Sequence, residues 1–268
     1  MTDDANPSFR QTDMLDPARA QAMQATLGYM PSLVAGNPLP PFFHQLYFWT
    51  PLPPQMLGRD GHPARGQGVI PDMGLPRRMW AGGRLSFYEP LRLGQNADCT
   101  TRLVSATRKE GKTGPLGIVG IRLDYQQKGK LCLTEERDLI YRNDPSPDAP
   151  THVPPKAPVD AEEEVPLRFD STLLFRYSAL TFNGHRIHYD LDYAKGVEGY
   201  DGLVVHGPLL AQHLMLLATA EFGRLKSFQF RATAPLMHFE EATACRAGSK
   251  LWVRGPDGRL CMEAEAAA

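Results

Sequence analysis

The sequence predicts an α+β fold of two units, in which antiparallel strands follow one another along the chain. Three observations indicate this class. Residues 77–142 have the pattern of a series of strands, residues 202–220 have that of one long helix, and a Pro-rich acidic segment at 144–164 separates them. Strand patterns return after that helix. Because the strands do not alternate with helices, an α+β architecture is favoured over a parallel α/β sheet.

Composition excludes several classes of protein. The chain has 268 residues, of which 42% are hydrophobic and 22% charged, as in soluble globular proteins with a sizeable core. A formal net charge of -1 provides no basic field for nucleic acid. The 4 cysteines form no CxxC motif and indicate reduced, buried thiols. A polar, acidic N-terminus without the pattern of a signal peptide predicts a cytoplasmic protein.

The first unit, predicted at 1–143, opens with a helix. Asp16 is placed to cap it, Pro17 suits its first turn, and Gly28 is placed to end it, so that residues 16–28 form the helical segment. A capped segment of this length is typical of a globular helix.

The rest of the first unit divides into three parts. Residues 37–54 are aromatic and lie between prolines, which fits either a buried helix or a wrapping loop. Residues 55–76 are rich in Gly and Pro and predict a long loop, ordered or not. Residues 77–142 alternate apolar and polar positions between turn signals, as strands do. The Pro-rich acidic residues 144–164 are the predicted linker.

The second unit, predicted at 165–268, starts with a strand-like stretch at 166–180. The helix at 202–220 follows. It carries no Asp, Glu, Lys or Arg, and its length is close to the ~20 apolar residues of a membrane span. Its Gly, Pro, Gln and His residues instead favour a buried helix of a soluble core. The last strand patterns include a hairpin signal at 256–258.

The stretch "SALTFNGHRIHYD" at 178–190 concentrates the polar chemistry of the second unit. It has two histidines three apart, His185 and His188, together with Asn183 and Gly184. Such a loop just before a long helix is compatible with a turn, a metal site or a proton-transfer site. Residue types alone leave these three alternatives open.

Residues 165–268 resemble the MaoC-like, hydratase-2 branch of the hotdog superfamily. The resemblance rests on the later part of that family's signature, at Ile187, His188, Asp190, Ala194, His206 and Gly207. The first half resembles the degenerate N-terminal hotdog of double-hotdog hydratases, and residues 75–94 resemble the subgroup that acts on mesaconyl, itaconyl and 3-hydroxyacyl thioesters. The resemblance implies a double hotdog, with two antiparallel sheets each wrapped around a central helix and a degenerate N-terminal half.

The same resemblance implies a catalytic set. His188 would exchange protons, since the ordinary pKa of histidine lies near neutrality. The signature's first Asp is Asn183 here, and an amide is no proton acceptor, so Asn183 would orient water or the imidazole, or only cap the turn. If a carboxylate is required, Asp60 in a Gly- and Pro-rich loop is the candidate. Asp190 precedes a short helical pattern and is expected to be an N-cap.

Further binding roles follow from the start of the long helix and from arginines. A backbone N–H at or near Gly207 would hold the thioester oxygen, with Pro208 in the first turn; the alternative is that Gly207 only permits a tight turn. Arg186 and Arg78 are candidates for binding a substrate carboxylate or the phosphates of CoA. A metal ion held by His185 and His188 would need further ligands, and no bound metal ion is expected.

The resulting prediction is a hydratase/dehydratase (a hydro-lyase) acting on a short, dicarboxylic enoyl-CoA such as mesaconyl-C4-CoA or itaconyl-CoA. Coenzyme A is then part of the substrate, and no separate cofactor, nucleic acid or membrane is expected. A homodimer is possible, because hotdog units usually pair. The alternatives are a dehydratase for uncharged 3-hydroxyacyl thioesters, a non-catalytic acyl-CoA binding protein that lost its acid at Asn183, and a thioesterase, since fold alone does not settle function.

Overall fold

The computed structural model describes residues 7–111, 114–144 and 153–268. Ten antiparallel strands form one continuous sheet in the order β1-β3-β4-β5-β2-β7-β10-β9-β8-β6. The strands are β1 (Ser8–Met14), β2 (Arg77–Phe87), β3 (Asn96–Gly111), β4 (Gly114–Gln127), β5 (Lys130–Arg142), β6 (Glu163–Leu167), β7 (Ser227–Ala232), β8 (Ala242–Ala247), β9 (Lys250–Arg254) and β10 (Leu260–Ala267). The helices are α1 (Pro17–Thr26), α2 (Ser171–Leu180), α3 (Leu191–Gly196) and α4 (Gly207–Phe222).

The two halves of the chain join edge to edge in this sheet. Strand β2 of the first half pairs with β7 of the second, from Gly82 opposite Arg231 to Ser86 opposite Ser227. Gly82 lies tight against the partner strand, because a Cβ there would come within 2.6 Å of the Phe230 carbonyl oxygen. The backbone hydrogen bonds of β2 and β7 therefore hold both halves in one frame.

In the second half, α4 is the central helix of the sheet. It packs on β7, β8, β9 and β10, and its buried residues include Leu209, Leu214 and Met215. The predicted start of this helix is confirmed, with Pro208 in its first turn. Within 7–111, 114–144 and 153–268, no helix is both long and apolar enough to cross a bilayer. The uncharged stretch is thus explained by burial under the sheet.

The first half is built differently. Asp16 caps α1 by accepting a hydrogen bond from the Ala18 N–H, as predicted, but α1 packs against α2 and the 3-10 turn Phe43–Leu46. The face of β4 and β5 that would receive a central helix lines a cavity instead. The N-terminal half is thus degenerate in the sense that a cavity takes the place of its central helix.

Several local predictions can now be compared with the structure. The prediction of a strand at 166–180 is wrong for the most part, because only its start belongs to β6 and α2 follows. The helix is favoured since Asp170 accepts from the Leu173 N–H, and Leu174 and Tyr177 lie on one buried face. Strand β1 was not predicted at all. The four cysteines are buried and free, as expected. Residues 145–152 of the predicted linker lie outside the described residues.

Candidate active site

A cavity of about 1370 Å³ runs between the two halves of the chain. The second half contributes His185, His188, Asn183 and Gly207 to its wall, and the first half contributes His62 together with residues of β2, β4 and β5. All predicted site residues of the motif 183–188, except the Arg186 side chain, therefore face one space. Its volume exceeds the 300–1,000 Å³ that is usual for ligand sites, which leaves room for a substrate with a long arm.

His188 occupies the end of a 3-10 turn, Arg186–His188, and is 7% exposed. Its Nδ1 donates to the carbonyl oxygen of Val204 at 2.7 Å. This bond places the ring proton on Nδ1 and leaves Nε2 as an acceptor. Burial lowers the pKa of His188 to about 4, with the Val204 carbonyl opposing that shift and His62 adding to it. The ring is thus a neutral base at pH 7.

The loop 58–62 of the first half crosses the catalytic motif of the second half at two glycines. A Cβ on Gly184 would come within 2.6 Å of the Gly61 carbonyl oxygen, and a Cβ on Gly61 would overlap the Gly184 carbonyl. Gly61 also has φ +84, a conformation that side chains disfavour. The Arg186 N–H donates to the Asp60 carbonyl oxygen at 2.9 Å across the same crossing. Only glycine permits this approach, which brings Asp60 to the motif.

Asp60 and His62 form a hydrogen-bonded pair at this crossing. The Asp60 carboxylate accepts from the His62 backbone N–H and from its Nδ1, both at 3.1 Å. Burial opposes ionisation of Asp60, but the bonds from His62 outweigh it and hold the pKa of the carboxyl well below its usual range. Of the pair, His62 lines the cavity and Asp60 does not, among the residues described. Asp60 therefore orients His62 and does not itself face the substrate.

His185 lies against this pair. Its ring centroid is 4.3 Å from that of His62, and burial, with the neighbouring His62 and His188, lowers its pKa to about 2. The donor atoms of Asp60, His62 and His185 lie within 4.8 Å of one another, so they also fit the first contacts of a metal ion. The predicted absence of a metal thus stays a prediction. These three residues share only His185 with the pair His185 and His188 that the sequence offered as metal ligands.

Gly207 is the first residue of α4, where backbone N–H groups have no intrahelical partner. Its φ is not positive, and a Cβ there would meet nothing closer than 4.0 Å, at the Trp80 carbonyl oxygen and the Met262 methyl group. A tight turn therefore does not require glycine at this position. The missing side chain instead leaves open space in the cavity wall, beside the positive end of a helix.

Asn183 faces the cavity and also shapes its own loop. Its Oδ1 accepts from the His185 N–H at 3.1 Å, which is the turn-capping role considered from the sequence. The amide nitrogen is free to point into the cavity. The capping bond of Asn183 is therefore present, and its role in orienting water or the imidazole stays a prediction.

Of the two predicted substrate-binding arginines, one lines the cavity and the other does not. Arg78 lies on β2 in the cavity wall, near His62, whose pKa its charge helps to lower. The Arg186 guanidinium pairs with Asp190 at 2.7 Å and lies over the Tyr193 ring at 4.2 Å. It is outside the cavity wall, so the structure gives no support to a substrate contact by Arg186. Asp190 caps α3 by accepting from the Tyr193 N–H, as expected.

The role of two histidines was not predicted from the sequence. His62 follows Asp60 by two residues in "GRDGHP", a spacing that only the crossing at Gly61 makes meaningful. His206 is fully buried, and its ring stacks on that of His188 with centroids 3.7 Å apart. The Ser178 hydroxyl lies 2.8 Å from its Nε2. His206 therefore packs directly against the His188 ring and holds it in place.

A neutral imidazole and the N-terminus of α4 face one long cavity between the two halves, an arrangement that fits an acyl-thioester hydratase or dehydratase. The match to the family model of hydroxyacyl-thioester dehydratase type 2 spans residues 42–238, so the chain belongs to that family. The predicted class of hydro-lyase is confirmed.

Two curated relatives align over most of their length. The mesaconyl-C(4)-CoA hydratase of Chloroflexus aurantiacus is 42% identical over 260 residues, which cover 93% of this chain and 91% of the relative. The mitochondrial hydroxyacyl-thioester dehydratase type 2 of Schizosaccharomyces pombe is 28% identical over 278 residues, covering 90% and 91%.

Solved structures agree on the fold. A MaoC-like dehydratase from Phytophthora capsici has a TM-score of 0.71 at 11% identity, covering 98% of this chain and 96% of its own. A Mycobacterium tuberculosis protein described as a double hotdog has a TM-score of 0.60 at 14% identity, covering 98% and 95%. The predicted double hotdog is confirmed.

Proposed function

We propose that the protein adds water reversibly across the α,β double bond of a short, dicarboxylic enoyl-CoA, such as mesaconyl-C4-CoA or itaconyl-CoA, to give citramalyl-CoA. The relative from Chloroflexus, at 42% identity over nearly the whole chain, supports the acyl group. One observation supports the chemistry above all others: His188 presents an unprotonated Nε2 to the same cavity that holds the start of α4.

The reaction needs a base for water and a stabiliser for the enolate. His188 Nε2 takes a proton from water as the oxygen bonds to the β-carbon. The electron pair of the double bond moves onto the thioester oxygen, which the Gly207 N–H and the dipole of α4 stabilise. The His188 imidazolium then returns the proton to the α-carbon. Protons balance within this one ring, so the mechanism requires no further acid.

Asn183 and the Asp60–His62 pair complete the arrangement. The Asn183 amide orients the attacking water toward His188. Asp60 is a positioning residue, which fixes the His62 ring by two hydrogen bonds and leaves that ring to contact water or substrate. This assignment restores a carboxylate–imidazole pair to the site although the signature's own Asp is replaced by Asn183.

Coenzyme A is a substrate handle in this proposal, and no step involves a separate cofactor. Arg78, with its charge at the cavity wall, is placed to attract the CoA phosphates. The protein works in the cytoplasm, which fractionation of cells tests. It works as a homodimer, which a Stokes radius from gel filtration tests.

A dehydratase for uncharged 3-hydroxyacyl thioesters is the second candidate. The size of the cavity and the 28% identity to the enzyme from Schizosaccharomyces pombe favour it. A non-catalytic acyl-CoA binding protein would show tight binding without turnover, and a thioesterase would release free thiol.

The test is an absorbance assay of enoyl-thioester loss with mesaconyl-C4-, itaconyl- and crotonyl-CoA, together with an assay of free thiol. The native protein should hydrate the dicarboxylic esters fastest. His188→Ala should lower the rate by about 10³-fold, since general base catalysis contributes 10²–10⁴, while the circular dichroism spectrum is unchanged. A well-folded His188→Ala variant with the native rate would refute the assignment.

A further inference from the structure

Strand β5 carries a charged pair where apolar side chains are expected. Every second side chain of this strand points to the cavity and core, and the residues on that face include Leu133, Glu135, Arg137 and Leu139. The two charges lie in the middle of that row, and Glu135 is 0% exposed.

The neighbouring strands make this placement costly. The cross-strand neighbours of Glu135 are Leu85 and Leu123, and Arg137 lies between Gly83 and Ile121. Replacing a buried ion pair by apolar residues is often neutral or stabilising. Stability alone therefore gives no reason for charges at these positions, which suggests a role in binding.

Glu135 is held by a complete set of donors. Arg137 Nη2 lies 2.8 Å from its Oε2, the Tyr125 hydroxyl 3.0 Å, His44 Nε2 3.1 Å and Gln45 Nε2 3.0 Å from Oε1. Burial opposes its ionisation, but Arg137 and His44 outweigh this and hold the pKa of Glu135 well below its usual range. Glu135 is thus a fixed and compensated anion, whose task is to hold Arg137.

Arg137 is bonded only in part. Its Nη2 donates to Glu135 and to Gln45 Oε1 at 2.9 Å, and its guanidinium lies over the Trp80 ring with Cζ 4.5 Å from the centroid. Within the described part of the chain its buried Nε finds no acceptor, and the hydrogen bonds of the guanidinium all come from Nη2. Arg137 lines the cavity, and 21% of its side chain is accessible. Nη1 is therefore the part of the guanidinium that remains for an acceptor inside the cavity.

We infer that Arg137 binds the free carboxylate of the acyl group, so that the enzyme selects enoyl-CoA substrates whose acyl chain ends in a carboxylate. This inference rests on the proposed function and supplies the origin of its specificity. Arg–carboxylate pairs are frequently bidentate and directional, and the stack on Trp80 fixes the plane of the fork.

The position of Arg137 along the strand fits this role better than that of the other arginines. Arg142, five residues further on, is exposed and also lines the cavity, so the cavity reaches the surface there. At about 3.3 Å per residue, Arg137 lies about 17 Å from Arg142 along β5. Arg78 lies near the Arg142 end of β2, opposite Tyr141. CoA thus enters past Arg78 and Arg142, and the acyl end reaches Arg137.

Arg137 also lies near the proposed reacting groups. The Trp80 ring under its guanidinium belongs to a residue whose carbonyl oxygen is 4.0 Å from the Cβ position of Gly207. The Tyr177 ring lies 4.9 Å from that of His206, which stacks on His188, and Tyr177 lines the same cavity as Arg137. A short acyl group held at Gly207 can therefore point its carboxylate at Arg137.

The test compares two substrates that differ only at this group: mesaconyl-C4-CoA, and 3-methylcrotonyl-CoA, in which a methyl group replaces the carboxylate. The quantity is the ratio of their kcat/KM values. Arg137→Lys keeps the charge but loses the fork. Glu135→Gln combined with Arg137→Gln removes both charges and leaves no unpaired buried ion. Arg78→Gln is the matched control, and thermal melting reports the folding of each variant.

The native ratio should favour mesaconyl-C4-CoA. The double variant should lower it by about 100-fold, the effect of a charged hydrogen bond, mainly through the dicarboxylic substrate. Arg78→Gln should change both substrates equally. An equal loss on both substrates in the Arg137 variants, or no preference in the native protein, would overturn the inference while leaving a hydratase. Absence of hydration with either ester would refute the proposed function itself, and this inference with it.

Discussion

The rings of His188 and His206 stack almost parallel, with centroids 3.7 Å apart and 19° between their planes. Two imidazolium ions would repel each other at this distance, so the stack requires that at least one ring be neutral. Burial lowers the pKa of both rings, to about 4 for His188 and well below the ordinary value for His206. The proposed base, His188, is thus kept unprotonated by its surroundings.

This stack predicts how stability depends on pH. Unfolded histidines titrate near 6.5, whereas buried His185, His188 and His206 titrate lower in the fold. Between pH 6.5 and about 4 the unfolded state binds more protons, so the free energy of unfolding should fall as pH falls through this window. Each ring contributes up to about 1.4 kcal/mol per pH unit. Urea unfolding at pH 7, 6 and 5 measures this fall in the free energy of unfolding. A free energy of unfolding that stays constant over this range would contradict the neutral stack.

Activity should be less sensitive to pH than that of an ordinary histidine. Because His188 acts as a neutral base with a pKa of about 4, kcat/KM should stay level from pH 8 to about pH 5.5 and fall only toward 4. Initial rates after a rapid shift of pH separate this titration from unfolding. A midpoint near 6.5 would mean that another group, or a solvent-exposed imidazole, is the base.

Gly207→Ala should fold normally and lose activity. A Cβ at this position meets no protein atom closer than 4.0 Å, so melting temperature should hardly change. The methyl group would occupy space beside the N–H that holds the thioester oxygen, and the rate should fall by about 10²-fold, as when one oxyanion donor is lost. Gly61→Ala is the contrasting variant, because its side chain would overlap the Gly184 backbone and destabilise the fold. A fully active Gly207→Ala enzyme would exclude the oxyanion role.

Asn183→Asp separates the capping role from the orienting role. Aspartate can still accept from the His185 N–H, so the loop should remain intact. It cannot donate, and it adds a charge beside His188, so kcat should fall while the melting temperature is retained. Asn183→Ala should lower both. If the Asp variant is as fast as the native enzyme, Asn183 is only a cap.

Chelation tests the Asp60, His62 and His185 trio. We expect overnight treatment with EDTA to leave the hydration rate unchanged and metal analysis of the purified protein to find no stoichiometric ion. The Asp60 carboxylate then serves His62, and Asp60→Asn should lower the rate through the loss of that bond. A rate that is lost on chelation and restored by zinc would assign the trio to a metal ion instead.

The sequence predicts best where the signal is local. The start of α4 follows from Gly207 and Pro208 before a long apolar run, and the cap at Asp190 follows from the short helical pattern after it. Helix α2 was missed because its Thr, Leu and Phe residues resemble a strand, and the cap at Asp170 that decides for helix was not weighed.

The remainder of the site depends on contacts between distant segments. Asp60 was identified from its loop, but only the crossing of Gly61 and Gly184 shows that it acts through His62. Glu135 and Arg137 lie in "LTEERDL", whose four consecutive charged residues are typical of an exposed edge of a strand. No local pattern shows that two of these side chains point into the protein.

The crossing of Gly61 and Gly184 also links the two halves of the gene. Any mutation that adds a side chain at either codon pushes the opposite backbone away and misplaces a histidine that the other half encodes. The two positions are separated by more than a hundred residues, yet each limits what the chain can carry at the other. Because each glycine meets a carbonyl oxygen of the opposite backbone, no change of the opposite side chain can relieve the overlap.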